Sequence, residues 1–259
     1  MGLLSRAIGE GTLRTSHALV VGGIGRDIVT GVLPEGSILP GDQELTARFG
    51  VSRTVLREAM KTLAAKRLVE PKAKVGTRVL PRSTWNLFDA DVLTWRIGAG
   101  VDDVFIADLA DIRMGLEPMA AALAATRASQ GEILELYGIA ARMNDLSHTR
   151  ETIAKVDLEF HLAIAKASKN PFMASIGSLI EAAFAVSFKL SSPATTPSGI
   201  DEFARDHLRI VQAIMAKDPE QASAAMRRVI EVGADRAHAA LDVTNATRLD
   251  AEARTDRRS

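Results

Sequence analysis

Apolar and polar positions alternate with a clear helical period between Gly41 and Leu80. The apolar residues recur mostly every three to five positions, and a tight corner that contains Gly50 divides them into two groups. Ser52, directly after this corner, is a residue type that favours the start of a helix. The pattern predicts two short helices joined by a glycine turn, a helix-turn-helix. The residues that form the stripe are Leu45, Phe49, Val51, Val55, Leu56, Met60 and Leu63.

The segments that flank this pair complete a recognisable DNA-binding module. Two short strands are predicted at 68–70 and 77–80, around a basic turn at 72–76. Before the pair, residues 16–31 present apolar side chains on one face and predict a first helix, weakened by its glycines. A winged helix-turn-helix over residues 16–82 is therefore expected, preceded by a flexible N-terminus, 1–15.

The rest of the chain has a different pattern. Residues 83–100 contain both tryptophans, Trp85 and Trp95, and are interpreted as a linker anchored against the larger domain. From 101 to 243 the apolar residues keep a helical period through about six segments, which predicts an antiparallel all-helical bundle. The polar residues 244–259 predict a disordered tail. The expected fold class is mainly α.

Charge and composition limit the function classes. Residues 1–82 contain 13 Lys and Arg against 7 Asp and Glu, whereas the remainder contains 19 against 25. This asymmetry favours a DNA-binding module joined to an acidic domain that does not contact phosphate. The chain has no cysteine, no run of 18 apolar residues and no recognisable signal peptide. These features fit a cytoplasmic protein that does not enter a membrane.

The second helix of the pair carries the candidate DNA contacts. Arg53 and Arg57 are four residues apart, so they share one exposed helix face, and arginine can bond guanine bidentately in the major groove. The alternative is that both are merely a solvated face, but the adjacent turn and predicted wing make that interpretation weak. Polar or small residues near them suit phosphate or groove contacts. These further candidates are Gln43, Ser52, Thr54, Lys74 and Gly76.

A second group of chemically capable residues lies in the helical domain. Asp157 and His161 are four residues apart on one helix face, and His207 lies on a later helix among apolar residues. A carboxylate and imidazoles that converge inside a bundle can bind a divalent metal such as Zn, Ni or Mn. The alternative is a pair of histidines that serve only the core.

The order of the motifs resembles a known family. The first half carries PEGSILPGDQELTARFGVSRTVLREAMKTLAAKRLVEPKAKVGTRV, and the second carries IRMGLEPMAAALAA, DLEFHLAIAKASKNP and DEFARDHLRIVQAI. Together they resemble the GntR regulators of the FadR type, whose all-helical ligand-binding domain is called FCD. The segment WNLFDADVLTW is similar to that of D-galactonate-responsive repressors within this branch. The resemblance covers nearly the whole chain.

The resemblance implies a metal site with one departure. Asp157, His161 and His207 match three of the family's four metal-ligand positions, but Val229 stands where a third histidine normally falls. His238 is nine residues farther on, about 13.5 Å along a helix and half a turn out of phase, so it is not expected to replace that ligand. The metal is therefore either held by three ligands with open positions, or absent.

The resemblance also implies an effector site. Arg113 matches an arginine that grips an effector carboxylate, and Glu117 follows one turn later as its partner. Asn170 is a weaker candidate for the same site, with a helix cap as the alternative. Gln43 departs from the family, which often has an arginine there, so the operator sequence is expected to differ.

These features predict a ligand-responsive DNA-binding transcriptional regulator. It is expected to be a homodimeric repressor that a small carboxylate or sugar acid releases from double-stranded operator DNA, and not to be an enzyme. Two alternatives stay open at this point. One is a metal-dependent hydrolase that uses the Asp/His cluster, and the other is an architectural DNA-binding dimer without an effector.

Overall fold

The computed structural model describes residues 15–190 and 192–256, with the side chains of all of these except 178, 187–189 and 245–256. The predicted flexible N-terminus therefore lies, apart from Thr15, outside the described residues. The chain forms two compact units, Met1–Val101 and Asp102–Ser259. Across the described ranges there are eleven α-helices and one two-stranded sheet, which confirms the mainly α fold class.

The first unit contains four helices and the sheet, with a short 3-10 turn at Arg82–Thr84. Its elements are α1 (Ser16–Val29), α2 (Asp42–Phe49), α3 (Arg53–Ala65), β1 (Val69–Lys72), β2 (Gly76–Val79) and α4 (Ala90–Ala99).

The helix-turn-helix forms where the apolar spacing predicts it. Helix α2 ends at Gly50, whose φ of 64° lies in the left-handed region that glycine adopts without strain. The Ser52 side chain then accepts a hydrogen bond from the Val55 amide and starts α3. Leu56 and Leu63 of α3 are fully buried, so the opposite face of this helix points to solvent.

The wing is a regular antiparallel hairpin. Val69 pairs with Val79 and Lys72 pairs with Gly76 in its register. The two valines are buried against the unit, whereas the turn end of the hairpin is exposed. The wing therefore projects a basic tip from an apolar base.

Both tryptophans belong to the core of the first unit, contrary to the expected anchoring of a linker on the larger domain. Trp85 and Trp95 are buried there with residues of α1 and α3. A Cβ at Gly25 of α1 would lie 2.3 Å from Cζ3 of Trp95, so only glycine lets the ring approach so closely. The Lys66 ammonium, which bonds Asp89, also lies 5.9 Å from the Trp95 ring. Residues 83–100 thus form part of the DNA-binding unit.

The second unit is a helical bundle with a 3-10 turn at Pro193–Thr195. Its helices are α5 (Asp103–Arg127), α6 (Gln130–Arg142), α7 (Arg150–Ala167), α8 (Pro171–Ala174), α9 (Gly177–Leu190), α10 (Pro197–Met215) and α11 (Pro219–Asp256).

Two helix boundaries in this unit differ from the sequence predictions. The described part of this unit contains seven helices where about six segments were expected, because the chain is divided near Ser175, whose hydroxyl bonds the Pro171 carbonyl, into α8 and α9. Helix α11 continues to Asp256, through most of the segment 244–259 that was expected to be disordered. None of the helices in the described ranges is long and apolar enough to cross a membrane.

Candidate functional site

The first candidate surface is the N-terminal end of α3. Arg53 is its first residue and Arg57 follows one turn later, and both side chains are exposed. Among the residues that the structure describes, neither guanidinium has a hydrogen-bond or ion-pair partner. Other cations of this unit are engaged, because Arg48 pairs with Asp27 at 2.7 Å. The two free arginines therefore present unshared positive charge beside a helix N-terminus.

The remaining DNA-contact candidates are also exposed. Ser52 and Thr54 flank Arg53, and Gln43 lies in the first turn of α2. In the wing, Lys74 has a φ of 63° and Gly76 a φ of 118°, which turns the chain sharply at the exposed tip. This exposed tip can bring the Lys74 ammonium and the small Gly76 close to a DNA backbone.

The second candidate site is a polar cluster buried in the helical bundle. Asp157 and His161 project from α7, and His207 projects from α10. Asp157 Oδ1 lies 3.4 Å from Nε2 of His161 and 3.0 Å from Nε2 of His207. One ligand atom from each residue lies within 4.8 Å of the others. The structure thus brings together the three residues that the sequence analysis selected as metal ligands.

The outer nitrogen of each imidazole is already engaged. His161 Nδ1 bonds the Glu117 carboxylate, and His207 Nδ1 donates to the Phe203 carbonyl at 2.8 Å. In the neutral ring each Nδ1 then carries the hydrogen, so each Nε2 holds a lone pair that faces Asp157. These two nitrogens and Asp157 Oδ1 are buried without a hydrogen-bond partner. Three electron-rich atoms that face one another favour a cation between them.

The neighbouring carboxylates also act on the ionisation of the cluster. Burial lowers the pKa of His161, but the carboxylates of Glu117 and Asp157 outweigh it, so this pKa is raised. Burial raises the pKa of Asp157, yet the neighbouring His207 and His161 hold it well below its usual range. The site therefore stabilises positive charge at His161, whether a proton on its ring or a cation bound beside it, and negative charge at Asp157.

The Arg113–Glu117 pair lies directly behind His161. Arg113 Nε and Nη2 donate to the two Glu117 oxygens, at 2.5 and 3.3 Å, and both residues are buried. Burial raises the pKa of Glu117, but the charges of Arg113 and His161 outweigh it and lower this pKa to about 2. The Phe184 ring packs 5.1 Å from the His161 ring and 5.0 Å from the Arg113 guanidinium, measured from its centroid. This chain of contacts fixes the orientation of His161.

Three other residues considered in the sequence analysis add no ligand atom to this cluster in the described part of the chain. Asn170 caps α8 by accepting from the Phe172 amide, and within the described part of the chain no hydrogen bond joins its side chain to the cluster. Val229 packs against the apolar core. His238 bonds Asp103 at 3.0 Å, as expected from its phase on the helix.

Sequence reasoning missed three contributors to this region. Phe184 and Phe203 were seen only as apolar helix residues, although their rings lie against His161 and His207. Arg236, on α11, is half-buried; burial lowers its pKa, and the charges of Asp157 and Asp206 partly offset this effect. One signal was available, because Arg236 follows Val229 by seven residues and so lies two turns farther along the same helix face.

Comparisons with known proteins agree with this division into two units. Residues 18–79 match the family of bacterial regulatory proteins named gntR, and residues 108–232 match the FCD domain. A transcriptional regulator of Escherichia coli named YieP is 37% identical over 78% of this chain and 87% of its own length. The galactonate operon transcriptional repressor of E. coli is 31% identical over 85% of this chain and 95% of its own.

A solved structure shares the fold. The Listeria monocytogenes protein Lar superposes with a TM-score of 0.59 at 19% identity, covering 88% of this chain and 99% of that one. Both domain matches and both sequence relatives are transcriptional regulators, which favours regulation over the hydrolase and architectural alternatives. The chain belongs to the GntR family of bacterial regulatory proteins, in the FadR-type branch that carries an FCD domain, and is a DNA-binding transcriptional regulator.

Proposed function

We propose that this regulator is a repressor, and that a small carboxylate or sugar acid bound in the helical unit releases it from DNA. The observation that carries the proposal is the buried polar cluster of Asp157, His161 and His207, whose facing atoms have no hydrogen-bond partner. An oxygen-rich acid suits such a polar interior, whereas a purely apolar ligand does not. The relative named as a galactonate operon repressor supports a sugar acid.

A divalent metal, with Zn, Ni and Mn as candidates, fits the same cluster. Bonds of about 2.0–2.2 Å at tetrahedral angles place two ligand atoms about 3.3–3.5 Å apart. The separations of 3.4 and 3.0 Å between Asp157 Oδ1 and the two imidazole nitrogens are close to this value. Asp157, His161 and His207 would hold the ion, and Val229 leaves the fourth family position without a donor. When bound, the ion would act as a Lewis acid that attracts an oxygen of the effector.

In the DNA-binding unit, Arg53 and Arg57 are proposed to contact base edges. Gln43, Ser52 and Thr54 are proposed to contact phosphates or bases, with Lys74 and Gly76 of the wing beside the groove. One such module covers few base pairs, so a homodimer that reads two half-sites is proposed. Equilibrium sedimentation tests the dimer. A regulator of this kind acts in the cytoplasm, where bacterial DNA lies.

Thermal unfolding tests the effector proposal. A panel of aldonic, uronic and 2-hydroxy acids is added to the purified protein, with and without a chelator. At one hundred times its dissociation constant, an effector stabilises the native state by about 2.7 kcal/mol, which is about 5–10 °C for a domain of this size. The H207A variant is expected to lose this shift, whereas H148A, which removes a half-buried histidine of the same unit outside the cluster, is expected to retain it. Stabilisation by none of the acids contradicts the effector proposal.

The DNA proposal is tested with duplexes selected from a random pool. The R53A variant is expected to lose about 1–3 kcal/mol of discrimination between the selected sequence and a mismatched one. The K61A variant removes an exposed cation two turns along the same helix and is expected to keep the discrimination. Unaltered specificity in R53A contradicts the proposed placement of this helix. Addition of the stabilising acid is expected to lower the affinity of the wild-type protein for the duplex.

A further inference from the structure

The segment that joins the two units is shorter than the linker predicted from the sequence. Trp95 of α4 is buried in the core of the first unit, so this helix belongs to that unit. The second unit begins at Asp102, whose side chain caps α5 by accepting a hydrogen bond from the Phe105 amide at 2.8 Å. Between these fixed points the chain is exposed at 98–100. The connection therefore depends on a few residues around Gly100.

Gly100 has a backbone conformation that residues with a side chain avoid. Its ψ of 148° is ordinary for an extended chain, but its φ of 125° lies in a region that only glycine occupies without strain. A Cβ at this position would meet no atom within 4 Å, so packing does not require glycine here. The requirement is conformational, because the torsion at Gly100 directs the chain from α4 to α5.

A side chain of the first unit holds this conformation in place. Arg96, in the last turn of α4, donates from Nη1 to the Gly100 carbonyl oxygen at 2.5 Å. The bond is charge-assisted, which makes it stronger than a bond between two neutral groups. Because Arg96 and Gly100 are only four residues apart, the end of α4 itself fixes the direction in which the chain continues.

We propose that Gly100, held by Arg96, sets the separation of half-sites that the regulator recognises on DNA. The inference rests on the proposed function, in which a homodimer reads two half-sites. Such half-sites lie about 34–36 Å apart, which is one turn of DNA, or a multiple of this distance. When the helical units form the dimer, the segment around Gly100 connects each DNA-binding unit to it. The torsion at Gly100 then decides which separation the two units reach together.

A side chain at position 100 changes this torsion. Alanine favours φ between about −60° and −160°, so the G100A substitution rotates the chain about this bond by roughly 100°. The rotation leaves the exposed arginines Arg53 and Arg57 of each unit as they are. Simultaneous engagement of two sites raises affinity by about 10²–10⁴-fold over one site, and this gain is lost when the geometry forbids it. Gly100 and Arg96 are therefore positioning residues for DNA recognition.

The test measures the dependence of DNA affinity on half-site separation by gel-shift titration of the full chain. The probes are duplexes with one copy of the half-site selected from a random pool, or with two inverted copies separated in steps of one base pair. At the separation that the wild type prefers, G100A is expected to bind the double site at least about 10-fold more weakly, with unchanged affinity for the single site. G98A adds a methyl group that would meet no atom within 4 Å, so this matched control is expected to keep the wild-type preference.

A second variant tests the bond that holds the glycine. R96A keeps Gly100 but removes the hydrogen bond to its carbonyl, so the connection is free to rotate. The preference for the best separation over the next best is expected to fall about 3- to 10-fold. If circular dichroism shows that G100A does not fold, R96A decides, because an unchanged preference in that variant overturns the inference.

The remaining outcomes are also decisive. Wild-type affinity and preference in G100A would overturn the inference. Equal losses for single and double sites in G100A would mean that the substitution damages the DNA-binding unit itself, which overturns it as well. A wild-type protein that binds the double site no more tightly than the single site, at every separation, overturns the proposed dimeric reading and the inference with it.

Discussion

Replacing Glu117 by Gln removes the charge that ties three buried side chains together. Glu117 is 3% exposed and accepts hydrogen bonds from Arg113 on its own helix and from His161 on α7. Glutamine has nearly the same shape, so the substitution changes charge and hydrogen bonding without opening a cavity. It therefore isolates the electrostatic role of this carboxylate.

The expected loss of stability follows from the burial of Arg113, which is 8% exposed. Removing one partner of a buried ion pair leaves the other charge uncompensated and costs about 3–5 kcal/mol. Replacing both partners by Met in the R113M/E117M variant removes both charges from the interior. That double variant is expected to lose only about 1–3 kcal/mol, because the His161 Nδ1–H then lacks its buried acceptor.

The assay is urea unfolding with two optical probes. Both tryptophans lie in the first unit, so their fluorescence follows that unit, whereas far-ultraviolet circular dichroism also follows the helices of the second. In the E117Q variant, the part of the dichroism transition that comes from the second unit is expected to move to lower urea concentration. The fluorescence transition, which follows the first unit, is expected to stay unchanged. The E117D variant retains the charge on a shorter side chain and serves as the control, with an intermediate shift.

Two results would refute this reasoning. A cost below about 1 kcal/mol in E117Q would mean that water or another group compensates the Arg113 charge. The losses of stability in R113M and E117M can also be compared with the loss in R113M/E117M. If the double variant loses as much stability as the two single variants together, the two residues act independently and do not form one buried pair.

Three further changes have defined outcomes. G25A is expected to destabilise the first unit by about 1–3 kcal/mol, because the new Cβ would lie 2.3 Å from the Trp95 ring. Unfolding followed by tryptophan fluorescence measures this loss. G22A is the control: its Cβ would meet only the flexible end of an arginine, so a neutral or stabilising effect is expected. V229H is expected to raise zinc affinity in a competition titration by supplying the fourth family ligand, and an unchanged affinity would argue against the proposed centre. K74A is expected to weaken DNA binding equally for all sequences, because Lys74 is proposed to contact phosphate. The slope of log affinity against log salt concentration is expected to fall by about 1. An altered sequence preference would instead mean that Lys74 contacts a base.

Local patterns in the sequence were sufficient for the elements and for several of their exposed faces. The apolar spacing around Gly50 predicted the helix-turn-helix, because the helical period and the left-handed glycine conformation depend on neighbouring residues alone. The spacing of Asp157 and His161 placed both on one face of α7 for the same reason. The match of His207 to this pair came from the family resemblance, since no local rule brings α10 to α7.

Tertiary structure decided which distant side chains meet and in what chemical state. The hydrogen bond from His161 to Glu117 spans 44 residues and assigns the tautomer that directs a lone pair toward Asp157. The same packing satisfies Arg113 and, among the residues that the structure describes, leaves Arg236 without a partner, although both are arginines on long helices. Residue type and periodicity determined where charges could lie. Which charge is neutralised depends on the packing of separate helices, because burial and counterions are properties of the folded interior.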